Sequence, residues 1–322
     1  MLYPLKFYPI LKEKIWGGTK LKTLLNKPSI KDNIGESWEI STVGDDISII
    51  SNGVYEGKNL VELIKEGKSN LLGKKVYQEF GNQFPLLIKF IDAKQDLSIQ
   101  LHPNDEIAKK RHNSFGKTEM WYVMQADKES ELIIGFNKST SEKEYIRYLK
   151  ENRITELLNF ENIKEGDSFF IDVGTIHAIN SGVLIAEIQQ TSDITYRIYD
   201  WDRKDATGMT RELHTDLALE ALNYETSEDS KLNYNRDANT PNILASCKYF
   251  KTNYLKITEN YERNYIGLDS FKVLLCTKGE GDVLVGNYKE KIKTGESLLI
   301  PAIFDSIQIT SSYAEFLEVY IN

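Results

Sequence analysis

The segment Ser98-Ile99-Gln100-Leu101-His102-Pro103 alternates polar and apolar residues. Successive side chains of a β-strand point to opposite faces. The run therefore reads as a strand with Ile99 and Leu101 on one side and Ser98, Gln100 and His102 on the other. The apolar pair belongs against a core. The opposite face then meets solvent or lines a polar cavity, where a Gln-x-His pair standing side by side can hold a metal ion. A half-buried strand wetted on its polar face is the simpler alternative.

Working outward, short β-like runs dominate. Residues 119–123 alternate again, with Glu119, Trp121 and Val123 on one face and Met120, Tyr122 and Met124 on the other. In 183–189, Leu184, Ala186 and Ile188 face a core, which sets Ile185, Glu187 and Gln189 together on the other side; Thr195, Arg197 and Tyr199 repeat the pattern. Further strands are expected at 5–10, 35–41, 47–50, 85–91, 132–136 and 168–173, with a turn at 16–18. Helices are expected at 19–25 behind Thr19, from Asn59 to about residue 66, after Asn104, at 141–160 and at 210–222. Residues 224–242 are polar and read as a linker or long loop. Beyond them, regular short strands separated by Gly- and Ser-containing turns suggest a β-sandwich or barrel.

A chain of 322 residues has room for about two domains. Its 41% hydrophobic and 27% charged residues are ordinary for a globular protein. The net charge of −8, without a long basic block, argues against nucleic acid or an anionic membrane surface as partner, yet a few local Arg or Lys residues suffice for a small anionic substrate. Cys247 and Cys276 form no CxxC pattern and no disulfide framework, which suits a reducing cytoplasm. The opening MLYPLKFYPI lacks the features of a signal peptide, and no run approaches the roughly 18 apolar residues of a membrane helix.

Histidine is scarce: His102, His112, His177 and His214 are the only four. His112 sits at a basic helix end and His214 on a helix, and both read as surface residues. His177 follows Gly166-x5-Asp172-x-Gly174-x2, a pair of tight turns that aims a side chain from the start of a strand. With Gln100, His102 and Glu119 it makes a possible set of two imidazoles, a carboxylate and an amide oxygen. Such a set suits Zn²⁺ with an open position for water or substrate. Taken singly, each of these residues is as well explained by ordinary hydrogen bonding or a solvated strand face.

Four separated motifs, SIQLHPND, GKTEMWYVM, the turn segment before His177, and EIQQTSDITYRIYDWDR, together with GESWEIS, resemble the type I phosphomannose isomerases of the cupin superfamily in their short bacterial form. The resemblance runs from about residue 5 to 222. It implies a zinc enzyme, with one Zn²⁺ per chain, that interconverts mannose 6-phosphate and fructose 6-phosphate. Gln100, His102, Glu119 and His177 fall on the family's zinc ligands, Arg197 on its active-site arginine and Lys117 on an active-site lysine. Arg203 stands where eukaryotic members carry a basic residue six after the arginine. Gly116 stands where longer members have a histidine sometimes assigned to sugar ring opening.

The expected architecture is mainly β, two cupin-type (jelly-roll) barrels with a few helices packed on the catalytic one. Residues 1–240 form a catalytic zinc-binding domain and 241–322 a C-terminal barrel. There Gly295-x5-Pro301-x-Ile303-x2-Ser306 repeats the cupin turn, with Ser306 at the histidine position, so this second barrel is expected to be metal-free. A monomer or homodimer, without nucleic acid or membrane, is expected.

Aldose–ketose isomerisation passes a proton between adjacent carbons through an enediolate, which needs charge stabilisation and a base. Glu187 and Lys117 are the candidate side chains for the base, and a zinc-bound hydroxide is another; Glu187 as a group orienting a ligand is the alternative role. Arg197 and Arg203 offer paired donors suited to phosphate, and Ser98 a hydroxyl. An Arg–Asp network with Asp200, Asp202 and Asp205 competes for the arginines. Two other functions stay open: a different metal-dependent cupin enzyme, such as an iron oxygenase, and a non-catalytic sugar-phosphate-binding cupin.

Overall fold

A computed structural model describes residues 1–204, 207–226 and 230–322, and most of its regular structure is β. Two antiparallel sheets come first. One has five strands, in the spatial order Leu158–Asn162, Glu131–Phe136, His177–Ile179, Ile99–Leu101 and Tyr196–Tyr199. The other has six: Ser168–Ile171, Glu119–Ala126, Val183–Gln190, Leu86–Ala93, Ile10–Gly18 and Ile34–Ile40. The strands from Asn242–Ser246 to Ala314–Tyr320 pair among themselves in an eight-stranded sheet. This is the mainly β fold expected from the strand pattern, in the cupin-type form that the family resemblance implies.

Alternation decides which side chain enters which core. Leu184, Ala186, Ile188, Met120, Tyr122 and Met124 leave one face of the six-stranded sheet and pack against Phe250, Phe271, Val273 and Leu317 of the C-terminal half. Trp121, Val123 and Ile185 leave the other face and meet Leu132, Ile134 and Ile179, so the five- and six-stranded sheets close on each other. Ile99 and Leu101 take the outer face of the five-stranded sheet, under Tyr145 and Ala218 of the helices Glu142–Lys150 and Thr215–Ala221. Each such fully buried aliphatic or aromatic side chain contributes roughly 1.5–3 kcal/mol. The C-terminal sheet encloses a separate core that includes Leu274, Cys276, Val283, Ile309 and Phe316.

Several local expectations change. Asn59 and Asn104 do cap helices, accepting the N–H of Glu62 at 2.8 Å and of Ile107 at 2.9 Å. Thr19 makes no side-chain cap; the short helix Lys20–Thr23 is held instead by Asp92 Oδ2, which accepts the Lys20 N–H at 2.6 Å. The helix expected over 141–160 covers only Glu142–Lys150. The chain turns at Asn152, whose φ is +54°, a left-handed conformation that Asn tolerates, and then forms the edge strand Leu158–Asn162. The helix expected over 210–222 begins at Thr215.

Residues 16–18 lie in a strand and not in a turn; a Cβ on Gly17 would fall 2.5 Å from the Asn33 carbonyl oxygen, so glycine permits close strand contact there. The expected linker, of which 227–229 lie outside the described residues, is tied to both N-terminal sheets. Tyr224 stacks on Phe136, and Ser230 and Leu232 bond the backbone of Phe170 and Ser168. Both cysteines are free thiols. No helix among the described residues is long and apolar enough to cross a membrane.

Candidate active site and metal centre

Strand register assembles the site. Gln100 lies directly opposite His177 on one neighbouring strand and opposite Arg197 on the other. Residues directly opposite on adjacent strands share a face, so these three side chains lie on one face of the sheet and line one cavity. His102 follows the end of the same strand. Glu119 opens the strand Glu119–Ala126 in the facing sheet. His102, Glu119 and His177 are each 1% exposed, and their ligand atoms lie within 4.8 Å of one another.

Hydrogen bonds select the histidine tautomers. His102 Nδ1 is 2.8 Å from the Ile194 carbonyl, and His177 Nδ1 is 2.8 Å from the Thr175 carbonyl. A carbonyl only accepts, so each Nδ1 carries the proton and each Nε2 lone pair faces the site. These Nε2 atoms lie 3.5 Å and 3.6 Å from the two Glu119 oxygens. Burial, reinforced by the Lys117 ammonium, pushes the His177 imidazole down to about 4 and His102 well below its ordinary value. Both are therefore neutral at pH 7, as metal ligands must be.

Burial, reinforced by the Glu187 carboxylate, pushes the Glu119 carboxyl up to about 7. Glu119 Oε1 and His177 Nε2 have no hydrogen-bond donor. The Lys117 ammonium lies 2.7 Å from Glu119 Oε2 and 2.8 Å from His102 Nε2. Buried acceptors without donors are costly. Two Nε2 lone pairs and a carboxylate fit a divalent metal ion, which would satisfy these atoms and restore Glu119 to its ionised form.

Beside this triad lies a chain of buried charges. Glu187 Oε1 is 2.9 Å from the Lys89 ammonium, and its Oε2 accepts the Trp121 indole N–H at 2.8 Å. Lys89 also approaches Glu36 at 3.9 Å, and Glu36 takes the Trp38 indole N–H at 2.6 Å and Lys14 at 3.2 Å. Burial alone would raise Glu187, but Lys89 and Lys117 outweigh it and hold the carboxyl below its usual value. Lys89, Glu36 and Lys14 escaped the sequence reading. The available signal was Lys89 itself, a charge in the apolar run Leu86–Ile91, where only a paired charge is tolerated.

At the rim, Arg197 Nε donates to Ser98 Oγ at 3.3 Å and Nη1 to the Glu212 carbonyl at 2.9 Å. Ser98 and Arg197 thus meet at the rim. Arg203 is not in the cavity lining; it bonds Asp200 at 2.6 Å, the competing arrangement foreseen for it. Asp200 also accepts from Arg211 Nε at 2.7 Å, and Arg211 lines the cavity with Arg197. Arg203 and Arg211 share this one carboxylate with Arg197 close by, leaving surplus positive charge beside the cavity; burial and Arg211 both lower the Arg197 guanidinium. Asp202 accepts from the Tyr199 hydroxyl at 3.1 Å, and Asp205 lies outside the described residues.

His112 is exposed, as expected. His214 is not a surface helix residue: it precedes the helix, and its Nδ1 and backbone N–H bond the Arg197 N–H and carbonyl at 3.1 Å and 2.7 Å.

The cavity measures about 120 Å³ and is lined by Gln100, Lys117, His177, Glu187 and Arg197 among others. A larger hollow of about 460 Å³ runs past Lys20, Asp127 and Gly182, but the Lys20 ammonium there already meets Asp127 at 3.0 Å and the Gly182 carbonyl at 2.8 Å. In the C-terminal sheet, Ser306 starts a strand and is exposed.

Known proteins share this sequence and fold. Residues 5–146 match the family described as phosphomannose isomerase type I, catalytic domain. The chain is 37% identical over 302 residues to the mannose-6-phosphate isomerase ManA of Bacillus subtilis (strain 168), covering 92% of this chain and 93% of that protein. It is 32% identical over 313 residues to the mannose-6-phosphate isomerase of Streptococcus mutans, covering 96% and 95%. A crystal structure of the mannose 6-phosphate isomerase from Bacillus subtilis matches with a TM-score of 0.88 and 30% identity over the full length of both chains.

Proposed function

Because the chain belongs to the type I phosphomannose isomerase family, we propose that it interconverts mannose 6-phosphate and fructose 6-phosphate by zinc-dependent proton transfer through an enediolate. The observation that carries this reading is the buried His102–Glu119–His177 triad, with unsatisfied acceptors, whose His177 lines one cavity with the Arg197 guanidinium. We assign His102, Glu119, His177 and Gln100 as the zinc ligands; the cross-strand pairing of Gln100 with His177 supports the fourth. A bound Zn²⁺ would supply Lewis-acid stabilisation of the charge that develops on the sugar oxygens.

The chain's own residues divide the rest. Glu187, held ionised by Lys89 and Lys117, is the proton shuttle between the two carbons. Trp121 and Lys89 fix its carboxylate plane. Lys117, pointed at the ligand atoms, contributes positive charge. Arg197 and Ser98 bind the phosphate, joined by Arg211, while Arg203 acts only through Asp200. Residues 1–240 form the catalytic domain and 241–322 a metal-free barrel; in support, every assigned site residue precedes 240, and the strands from Asn242 onward pair with one another, joined to the N-terminal half by the bridge of Leu299 with Leu5. The free cysteines suit a cytoplasmic monomer or homodimer with a phosphosugar as its partner.

The test is a coupled assay for fructose 6-phosphate formed from mannose 6-phosphate, run on purified chain before chelation, after chelation and after zinc is restored. Activity that disappears and returns is expected. A folded, zinc-replete sample with no turnover would favour a non-catalytic sugar-phosphate-binding cupin. Iron in the purified protein with oxygen consumption would favour another cupin enzyme.

A further inference from the structure

The segment between the helix Asp105–His112 and the strand Glu119–Ala126 carries Lys117 into the site, and three successive residues of it are pinned from different directions. Gly116 donates its N–H to Asp105 Oδ1 at 3.0 Å, Lys117 to the Pro103 carbonyl at 3.2 Å and Thr118 to Gln190 Oε1 at 2.9 Å. The Gln190 side-chain N–H donates in turn to the same Asp105 oxygen, also at 3.0 Å. The fit is close: a Cβ on Gly116 would lie 2.7 Å from the Asp105 nitrogen and 2.8 Å from the Asn104 carbonyl carbon. No side chain is accommodated at 116, where longer members of the family carry a histidine.

The other Asp105 oxygen, Oδ2, accepts from the Tyr249 hydroxyl at 2.6 Å. Tyr249 belongs to the turn between the strands Asn242–Ser246 and Lys251–Ile257, in the C-terminal half. The Lys248 ammonium approaches the same oxygen only to 3.8 Å, and its side chain is 74% exposed. Asp105 itself is 39% exposed. With Oδ2 held, the carboxylate plane is fixed and Oδ1 is aimed at both Gly116 and Gln190. Without that bond the side chain is free to turn to water, and two charge-assisted hydrogen bonds that brace the loop loosen together.

We propose that Tyr249 is a positioning residue for Lys117: the C-terminal half braces the catalytic loop through Tyr249, Asp105 and Gln190. The role gives a barrel with no assigned ligand a part in turnover. Its kinetic readout rests on the isomerase reading above; its structural readout does not.

The test uses the full-length, zinc-loaded Tyr249→Phe variant, which keeps the ring and removes the hydroxyl. Amide hydrogen exchange in peptides spanning 113–118 is expected to speed up about tenfold. The kcat with mannose 6-phosphate is expected to fall about 5- to 20-fold while KM stays within about twofold. Zinc content should not change. Asp105→Asn should reproduce both effects, and adding it to Tyr249→Phe should cost little more; Lys248→Ala should change neither. Wild-type exchange rates with wild-type kcat in Tyr249→Phe overturn the proposal, as does a lowered Tm alone. If wild-type protein itself fails to turn over mannose 6-phosphate, the isomerase reading fails, and the exchange measurement still decides the brace.

Discussion

Glu187 and Lys89 stand directly opposite each other on adjacent strands, with carboxylate and ammonium 2.9 Å apart and both side chains under 10% exposed. A pair this buried is costly to leave half-made, since removing one partner strands a charge at roughly 3–5 kcal/mol. Both groups line the cavity. Glu187→Gln keeps the shape and the Trp121 contact but removes the carboxylate assigned to proton transfer. Its kcat should fall about 10²- to 10⁴-fold with zinc content unchanged. A variant with near wild-type kcat would remove Glu187 from proton transfer and leave Lys117 and a zinc-bound hydroxide as the candidates.

The arginines divide sharply. Arg197→Ala should raise KM for mannose 6-phosphate about 10- to 100-fold, as expected for a lost charge-assisted contact, and weaken competitive inhibition by inorganic phosphate in parallel. Arg211→Ala should shift both in the same direction. Arg203→Ala, whose guanidinium is turned to Asp200 at 2.6 Å, should change KM by less than about threefold. Equal losses at Arg203 and none at Arg211 would contradict this division.

The contrast between these arginines marks where sequence patterns stop being informative. Period-two alternation correctly sorted Ile99 and Leu101 from Gln100 and His102, and Trp121 from Met120, because strand geometry dictates which face each residue takes. Arg203 looked suited to phosphate by its spacing from Arg197, but Asp200, three residues away, captures it. Arg211 reaches the cavity through a loop of no periodicity. The Tyr249–Asp105 bond joins residues 144 apart, a distance no local pattern spans. Thr19 failed as a cap for a similar reason: Asp92, from a neighbouring strand, took the free N–H.

Stability should carry a signature of the C-terminal sheet as well. Lys272 is fully buried there, donating to the Phe304 carbonyl at 2.8 Å beneath the Tyr265 ring. Burial, only partly offset by Asp305 and Glu318, pushes its ammonium down to about 8. Unfolded, it returns to about 10.4. Between these values the unfolded chain binds more protons, so stability rises with pH. The contribution of Lys272 to the urea midpoint, read as wild type minus Lys272→Met, should therefore climb from about pH 7.5 to 9.5. A difference that is flat or falls over that range would contradict it.

The most direct test concerns the triad. Metal-free protein prepared with a chelator should regain mannose 6-phosphate isomerase activity in proportion to added Zn²⁺, reaching a plateau at about one equivalent per chain. Glu119→Gln, folded and otherwise intact, should neither retain the ion nor recover turnover. Full activity in the chelated chain, or a wild-type zinc stoichiometry and rate in Glu119→Gln, would contradict the assignment of His102, Glu119 and His177 as the metal centre of the reaction.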